Sequence, residues 1–448
     1  MSQFRNSLHP KQFMRPVSTK PIAALLMIFT AWSAAVAQDG GSLQARGEHA
    51  ERSLNNWVAA WQGSPTVGGT FSTSSCPSDV GVNNQTVRNI VFISAGGDHL
   101  RVRISNVGGS VPLRVGSASV AVSAGGADTV PGTLHSLRFA GQTSTVIAAE
   151  GEALSDAVSL KVKSLESLAV SVYLPGATGP ATQHYFATQN NYLAAGDEST
   201  AAGGSSFSQM IACWMFLSGV DVAASRQVKG TLVTLGDSIT DGFASTTGAN
   251  LRYPDQLARR LAARSGDTLS VSNAGLGGDD LLANREGQPL FGVPAPARLP
   301  RDVLTQYGAR AVILLEGIND IGANSAMAAD LIQIDQQIIT QLHAWGLKVY
   351  GGTLVPFGGA FPIYGANYGT TGGEQQRQIL NRWIRTGGAF DGVIDFDKAI
   401  RDPQNPSQML PVYDSGDHLH PGDAGYLAMA NAVDLNVIVK ESLERRDE

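Results

Sequence analysis

Residues 231–242 read TLVTLGDSITDG. The β-branched and apolar run from Thr231 to Leu235 describes a strand, and Gly236 lets the chain leave it before an acid, a serine and a second acid. Small polar residues at a strand exit often do no more than build a turn. A serine two positions past a strand end can also stand at the carboxyl edge of a sheet, with its hydroxyl exposed and its backbone amide facing a ligand. The surrounding pattern has to separate these readings.

After Val222 that pattern is strand, helix, strand, strand, helix, strand. The segments are TLVTL, LARRLAARSG, TLSVSN, ARAVILLE, the helical stretch 331–345 and LKVYGGTLV. Runs such as AVILL suit strands buried on both faces, and alternation with helices implies a parallel sheet between helical layers. The stretch 331–345 carries Leu331, Ile334, Ile338, Leu342 and Trp345 on one stripe, as a helix packed on a sheet requires. PFGGAFPIYGANYGTTGG, residues 356–373, is a glycine-rich and aromatic insertion after a strand. It can wall a pocket beyond the strand ends, or it can be a plain surface connection.

From Thr86 to Val222 the sequence instead shows short alternating runs between Gly, Pro, Asn and Asp: TVRNIVFIS, HLRVRIS, SVAVS, TVIAA and SLAVSVYLP. In HLRVRIS, Leu100, Val102 and Ile104 alternate with Arg101, Arg103 and Ser105, which predicts one buried and one solvated face. Many such strands suggest an antiparallel β-sandwich. The chain therefore divides near 222–230, into an all-β, sandwich-like part over 38–225 and an α/β part over 226–448.

The first 37 residues stand apart. Arg5, Lys11, Arg15 and Lys20 precede an apolar stretch from Pro21 to Ala37 that ends in Ala35, Val36 and Ala37, the form of a secretory signal cleaved before Gln38. A single membrane anchor is the alternative, but the stretch is short and broken by Thr30, Trp32 and Ser33. Secretion or a periplasmic location follows as the expectation, with no stable membrane insertion after cleavage. Losing four positive and no negative charges moves the formal net charge from −6 to −10, which argues against a nucleic-acid partner. With 43% hydrophobic and 16% charged residues in 448, the chain is globular and long enough for more than one core. Its two cysteines, Cys76 and Cys213, are either separate buried thiols or a disulfide formed after export. Pairing them would stabilise the fold by roughly 4 to 5 kcal/mol in the chain-entropy model.

A serine nucleophile needs a base, and after the division the chain offers His343, His418 and His420. His343 sits on the amphipathic stretch. His418 and His420 belong to DSGDHLHPGDAGY, where Asp417 precedes His420 by three residues, so its carboxylate can bind Nδ1 and leave Nε2 for the serine. His418 is the second choice. Asp414, Asp417, His418 and His420 also resemble a metal site, but no HExxH and no cysteine ligand accompany them. Ester hydrolysis further needs donors where an oxyanion develops. Gly278, in NAGLGGDD, can offer a bare backbone amide, and Asn319, in GIND, its side-chain amide. With the amide of Ser238 they make three donors; as a tight turn and a helix cap they make none. NAGLGGDD is no dinucleotide fingerprint, because the third glycine would fall at Asp280.

GDSIT, NAGLGG, GIND and DHLHP, in that order over residues 230–437, resemble the four blocks of the SGNH hydrolases, also called GDSL-like esterases and lipases. The resemblance implies a flavodoxin-like three-layer α/β/α domain that hydrolyses esters without metal or cofactor. It implies Ser238 as nucleophile, His420 as base, Asp417 as its partner, and Ser238, Gly278 and Asn319 as oxyanion donors. LEGINDIG, WIRTGGAFDGVIDFD and YDSGDHLHPGDAGY, with NNWVAAWQGSP and WMFLSGVDV in the β-rich leader, are similar to the branch with xylanase-associated acetylesterases. The expected activity is a secreted serine esterase acting on short acyl, first of all acetyl, esters of polysaccharide. Short-chain lipid or aryl esters are the alternative substrates. A non-catalytic carbohydrate-binding protein and a metallohydrolase on Asp414 and His418 are the alternatives of other classes.

Overall fold

The computed structural model describes residues 56–69, 75–77, 79–285 and 287–444; the expected export signal, 1–37, lies outside them. Along the chain the β-rich part comes first. Strands β1 (Trp57–Gln62), β2 (Gln85–Phe92), β3 (Gly97–Ser105), β4 (Ser117–Gly125), β5 (Val158–Val162), β6 (Ser167–Leu174), β7 (Gln183–His184), β8 (Asn191–Ala195), β9 (Trp214–Met215) and β10 (Leu217–Ala224) carry it. One antiparallel sheet runs β1-β10-β3-β5, and a second includes β8-β2-β6-β4. Alternating residues of both, among them Val87, Val91, Leu100, Val102, Val170, Val172, Val220 and Val222, share one core, as two facing sheets require. β7 and β9 form a separate two-stranded ribbon with His184 opposite Trp214. Cys76 and Cys213 form a disulfide, Cα atoms 5.9 Å apart, that closes a loop of 137 residues within this part.

The face of β3 expected to be wet is covered. Leu100, Val102 and Ile104 are buried, and so are Arg103 and Ser105. The Arg101 guanidinium lies over the rings of Trp57 and Tyr307, 3.8 and 4.2 Å from their centroids, and both arginines approach Asp221. Tyr307 belongs to the α/β part, so a second layer sits where the alternation implied solvent. Burial raises Asp221 to about 6 despite the two guanidinium groups.

The α/β part runs β11 (Val228–Gly236), α1 (Ser238–Asp241), α2 (Tyr253–Ala262), β12 (Thr268–Gly275), β13 (Ala309–Leu315), α3 (Ile318–Gly322), α4 (Ala328–Ala344), β14 (Lys348–Gly352), α5 (Phe361–Tyr364), α6 (Thr371–Thr386), β15 (Gly392–Ile394), α7 (Asp423–Ala432) and α8 (Leu435–Leu443). Its sheet is wholly parallel in the order β12-β11-β13-β14-β15, the flavodoxin-like order. Thr231 to Gly236 and Ala311 to Leu315 are buried throughout, because helices cover both faces. Leu257 and Leu261 of α2, Leu380 and Ile384 of α6, and Ile438 and Val439 of α8 join the strands in one core. On α4, Leu331, Ile338 and Leu342 are fully buried, but Trp345 is 66% exposed. The helix ends at Ala344 and Gly346 turns with φ +73° towards β14, so Trp345 leaves the apolar stripe.

The two parts are joined by polar contacts as well as by chain. Ser94 Oγ donates to the Val271 carbonyl at 2.7 Å and accepts from its amide at 3.0 Å. Ser272 Oγ donates to Gln62 Oε1 at 2.8 Å, and the Ala59 amide donates to the Tyr307 carbonyl at 2.9 Å. Among the described residues no helix is long and apolar enough to cross a membrane.

Candidate active site

β11 and β13 lie side by side where the chain first goes to one side of the sheet and then to the other, the place where open α/β sheets bind ligands beyond their carboxyl ends. Gly236 closes β11 because a Cβ there would come within 2.0 Å of Thr240 Oγ1. Asp237 then caps α1, its Oδ1 accepting the Ile239 amide at 2.8 Å. Burial raises Asp237 to about 7, against the pull of that bond and with help from the carboxylates of Asp279, Asp320 and Asp280. Ser238 is the first residue of the turn, and its Oγ lies 2.8 Å from His420 Nε2.

His420 is held from behind. Its Nδ1 lies 2.7 Å from Asp417 Oδ2, while Asp417 Oδ1 accepts the amides of Leu419 and His420 at 2.9 and 2.8 Å. Tyr364, from α5, donates its hydroxyl to Asp417 Oδ2 at 2.9 Å. Burial alone would raise the Asp417 carboxyl, but the His420 ring and the two amides outweigh it and hold it well below the usual carboxylate range. With Nδ1 committed to a carboxylate, Nε2 is left to accept the serine proton. The Phe243 ring packs on the imidazole at 4.5 Å between centroids.

The other histidines of this part stand elsewhere. His418, 46% exposed at its side chain, pairs through Nδ1 with Asp414 Oδ2 at 2.6 Å. His343 pairs with Asp391 at the end of α4. Asp414–His418 and Asp417–His420 are two separate pairs, and among the described residues no three His, Cys, Asp or Glu side chains are grouped to hold a metal ion.

Gly278 has φ +76°, and a Cβ there would meet the Phe291 ring at 2.4 Å, so glycine is required on both counts. Asn319, in α3 just beyond β13, donates from Nδ2 to the Asp279 carbonyl at 2.9 Å and accepts the Tyr368 hydroxyl on Oδ1 at 2.6 Å. The Asp279 carbonyl, which can only accept, fixes which end of the carboxamide is the donor, and Nδ2 keeps a second hydrogen. Ser238, Gly278, Asn319 and His420 line one cavity of about 370 Å³, walled by Tyr185, Phe186, Phe243, Phe291, Tyr364 and Tyr368. The 356–373 insertion supplies the last two rings of that wall.

Sequence reasoning missed the supports beneath and beside this cavity. Buried Arg298 donates to the carbonyls of Gly236 and Ala274, at the ends of β11 and β12, and to Glu316 just past β13. It also binds Asp279 through Nε at 2.6 Å. One guanidinium thus fixes three strand ends. On the other side, Asp241, the second acid of GDSITD, meets His184 of β7, Oδ1 to Nε2 at 2.9 Å. An unassigned acid behind the serine was the available signal for that pair; its partner lay across the division of the chain.

A hydroxyl, an imidazole and a carboxylate stand in line at the strand ends of a three-layer α/β/α domain, the arrangement that serine-dependent ester hydrolysis requires. Residues 234–428 match the model of the GDSL-like lipase/acylhydrolase family. That segment belongs to this family, and the protein is a carboxylic ester hydrolase of the GDSL/SGNH class. Similar solved structures include a family two carbohydrate esterase from Clostridium thermocellum in complex with cellohexaose, at 15% identity and TM-score 0.36 over 85% of this chain and 99% of that one. A carbohydrate acetylesterase family member from Sinorhizobium meliloti is similar at 19% identity and TM-score 0.35, over 48% of this chain and 99% of that one. The lipase/acylhydrolase from Enterococcus faecalis is similar at 20% and 0.36, over 49% and 100%. No curated protein matches the chain.

Proposed function

We propose that the protein removes short acyl groups, acetyl foremost, from carbohydrate through an acyl-enzyme on Ser238. The observation that carries this reading is the 2.8 Å approach of Ser238 Oγ to His420 Nε2 with Asp417 on the opposite ring nitrogen. Ser238 Oγ attacks the ester carbonyl as His420 takes its proton, and the same imidazole returns that proton to the departing alcohol. Water, deprotonated by His420, then attacks the acyl carbon, the bond to Ser238 Oγ breaks with return of that proton from His420 to the serine, and the acid is released. The amides of Ser238 and Gly278 and the Asn319 carboxamide receive the oxyanion. Phe291 beside Gly278 and Phe243 beside His420 line the cavity next to the proposed oxyanion donor and base, and rings at those places leave room for a short acyl group. The remaining rings of the wall suit the face of a sugar.

Export fits the same reading. The pattern of residues 1–37 has the form of a cleaved signal, and a disulfide between Cys76 and Cys213 suits an oxidising compartment. Short-chain aryl or lipid esters are the second reading, favoured by the aromatic lining of the cavity. A 4-nitrophenyl ester series from acetate to octanoate, run beside acetylated xylan, separates them. Fastest turnover of acetate with acetate release from xylan is expected; a preference for octanoate would transfer the reading to lipid. Ser238→Ala should abolish hydrolysis with the fold intact, and a fluorophosphonate should label Ser238. Failure of both would leave a binding protein, and loss of activity to a chelator would favour a metallohydrolase.

A further inference from the structure

Gly277 and Gly278 are consecutive, so no side chain of their own restrains the peptide between them. That peptide is trans, and in a planar trans unit the carbonyl and the N–H point in opposite directions. The Gly277 carbonyl and the Gly278 N–H are the two ends of this one unit. Whatever holds the carbonyl therefore aims the N–H.

The carbonyl is held from the β-rich part. Tyr185, which follows β7, donates its hydroxyl to the Gly277 carbonyl oxygen. On the other side of the same residue, the Gly277 amide donates to Asp241 Oδ2 at 3.1 Å, and Asp241 Oδ1 is held by His184. His184 is itself fixed by the Ser64 carbonyl, 2.9 Å from Nδ1. Two adjacent residues, His184 and Tyr185, thus restrain the peptide groups before and after Gly277, one through Asp241 and one directly. A Cβ on Gly277 would lie 2.9 Å from the Tyr185 hydroxyl and 3.1 Å from the Phe186 ring, so the clamp closes only on glycine.

We propose that Tyr185 is a positioning residue for ester hydrolysis: its hydroxyl, with the His184–Asp241 pair, orients the Gly277–Gly278 peptide so that the Gly278 N–H faces the oxyanion. The β-rich part then completes the oxyanion hole rather than merely accompanying it. This rests on the assignment of Gly278 and Asn319 as oxyanion donors under the proposed function.

The test uses the full chain with its disulfide intact and 4-nitrophenyl acetate as substrate. Tyr185→Phe, which keeps the ring and removes the donor, should lower kcat by about 10- to 100-fold, on the scale of a misplaced or lost oxyanion donor, and leave KM within about twofold. Slowing acylation and deacylation alike lowers kcat without moving KM, and a loss of packing does not mimic that split. Binding of a phenylboronic acid, whose adduct on Ser238 places an oxygen in the hole, should weaken by the same factor. Asp241→Asn, acting at the other end of Gly277, should show the same pattern. An unchanged kcat in both variants, or a fall in kcat with undiminished boronate affinity, overturns the inference. Asn319→Ala is the control on the underlying reading: if it leaves kcat unchanged, the oxyanion assignment fails. If it lowers kcat while both clamp variants do not, only the clamp fails.

Discussion

Two histidine–aspartate pairs flank the turn that begins at Ser238, and they are nearly alike in length and burial. His420 meets Asp417 at 2.7 Å and His184 meets Asp241 at 2.9 Å, with ring exposures of 6% and 2%. They differ in what the second ring nitrogen faces. In His420 it faces the Ser238 hydroxyl, which can give up a proton. In His184 it faces the Ser64 carbonyl, which can only accept. Nδ1 of His184 must therefore carry a hydrogen, and a further proton lies between Nε2 and Asp241, so the ring has no vacant site. Burial opposes the charged ring, but Asp241 and the Ser64 carbonyl overcome it and hold the His184 pKa above its ordinary value. A pair with one nitrogen left over can move a proton; a pair with both committed can only hold two elements together.

The sharpest way to break this contrast is to exchange each imidazole for an amide. His420→Gln should lower kcat by about 10⁴-fold or more while leaving the melting temperature close to wild type, since its loss removes the proton acceptor. Comparable activity in that variant would deny the difference between the pairs. His184→Gln should act on the fold, with a loss of about 3 kcal/mol in denaturant titration, as for a buried pair stripped of one partner, and should lower kcat no further than the other variants of the Gly277 clamp, about 10- to 100-fold. Normal stability would show that the pair is not a strut.

The contrast extends to pH. A histidine whose folded pKa lies above its unfolded one contributes stability that is complete below about pH 6.5 and is lost as pH rises through the folded value. The stability gap between wild type and His184→Gln should therefore narrow as pH is raised above 6.5; a gap that widens would reverse the sign. The smallest effect belongs to the exposed pair. His418→Ala should change stability by less than about 1 kcal/mol and leave kcat near wild type, whereas a large loss would move the base from His420 to His418.

Much of the α/β part could be read directly because its signals are local. AVILL reads as a strand buried on both faces from its own composition, and a spacing of three positions from Asp417 to His420 suffices to close an acid–imidazole pair. Ser238, Gly278 and Asn319 each fall just after an apolar run, so the order of strands alone brings them to one edge. What escaped reading depends on contacts between distant segments. His184 lies 57 positions before Asp241, in a ribbon strand only two residues long, with no period to mark it. It also lies before residue 226, in the β-rich part, and so outside the α/β part that carries His343, His418 and His420. Arg298 is similar: a single cation in a helical stretch, whose carbonyl partners at Gly236 and Ala274 are fixed only once the sheet exists. The alternation in HLRVRIS located the buried face correctly, but nothing in it could report that Tyr307 would cover the other.

The grip of His184 and Tyr185 on a two-glycine loop also bears on how such a chain can be cut and rejoined. The segment 234–428 holds the serine, the imidazole and the glycines, while Tyr185, which restrains the Gly277 carbonyl, and His184, which holds Asp241 against its amide, come from some ninety positions before Gly277. A β-rich leader of the same outline grafted from another protein would cover the same apolar surface. Without a tyrosine and a histidine in register it would leave that loop to choose its own orientation, so the leader is an inherited half of the machine and not a passenger that can be traded.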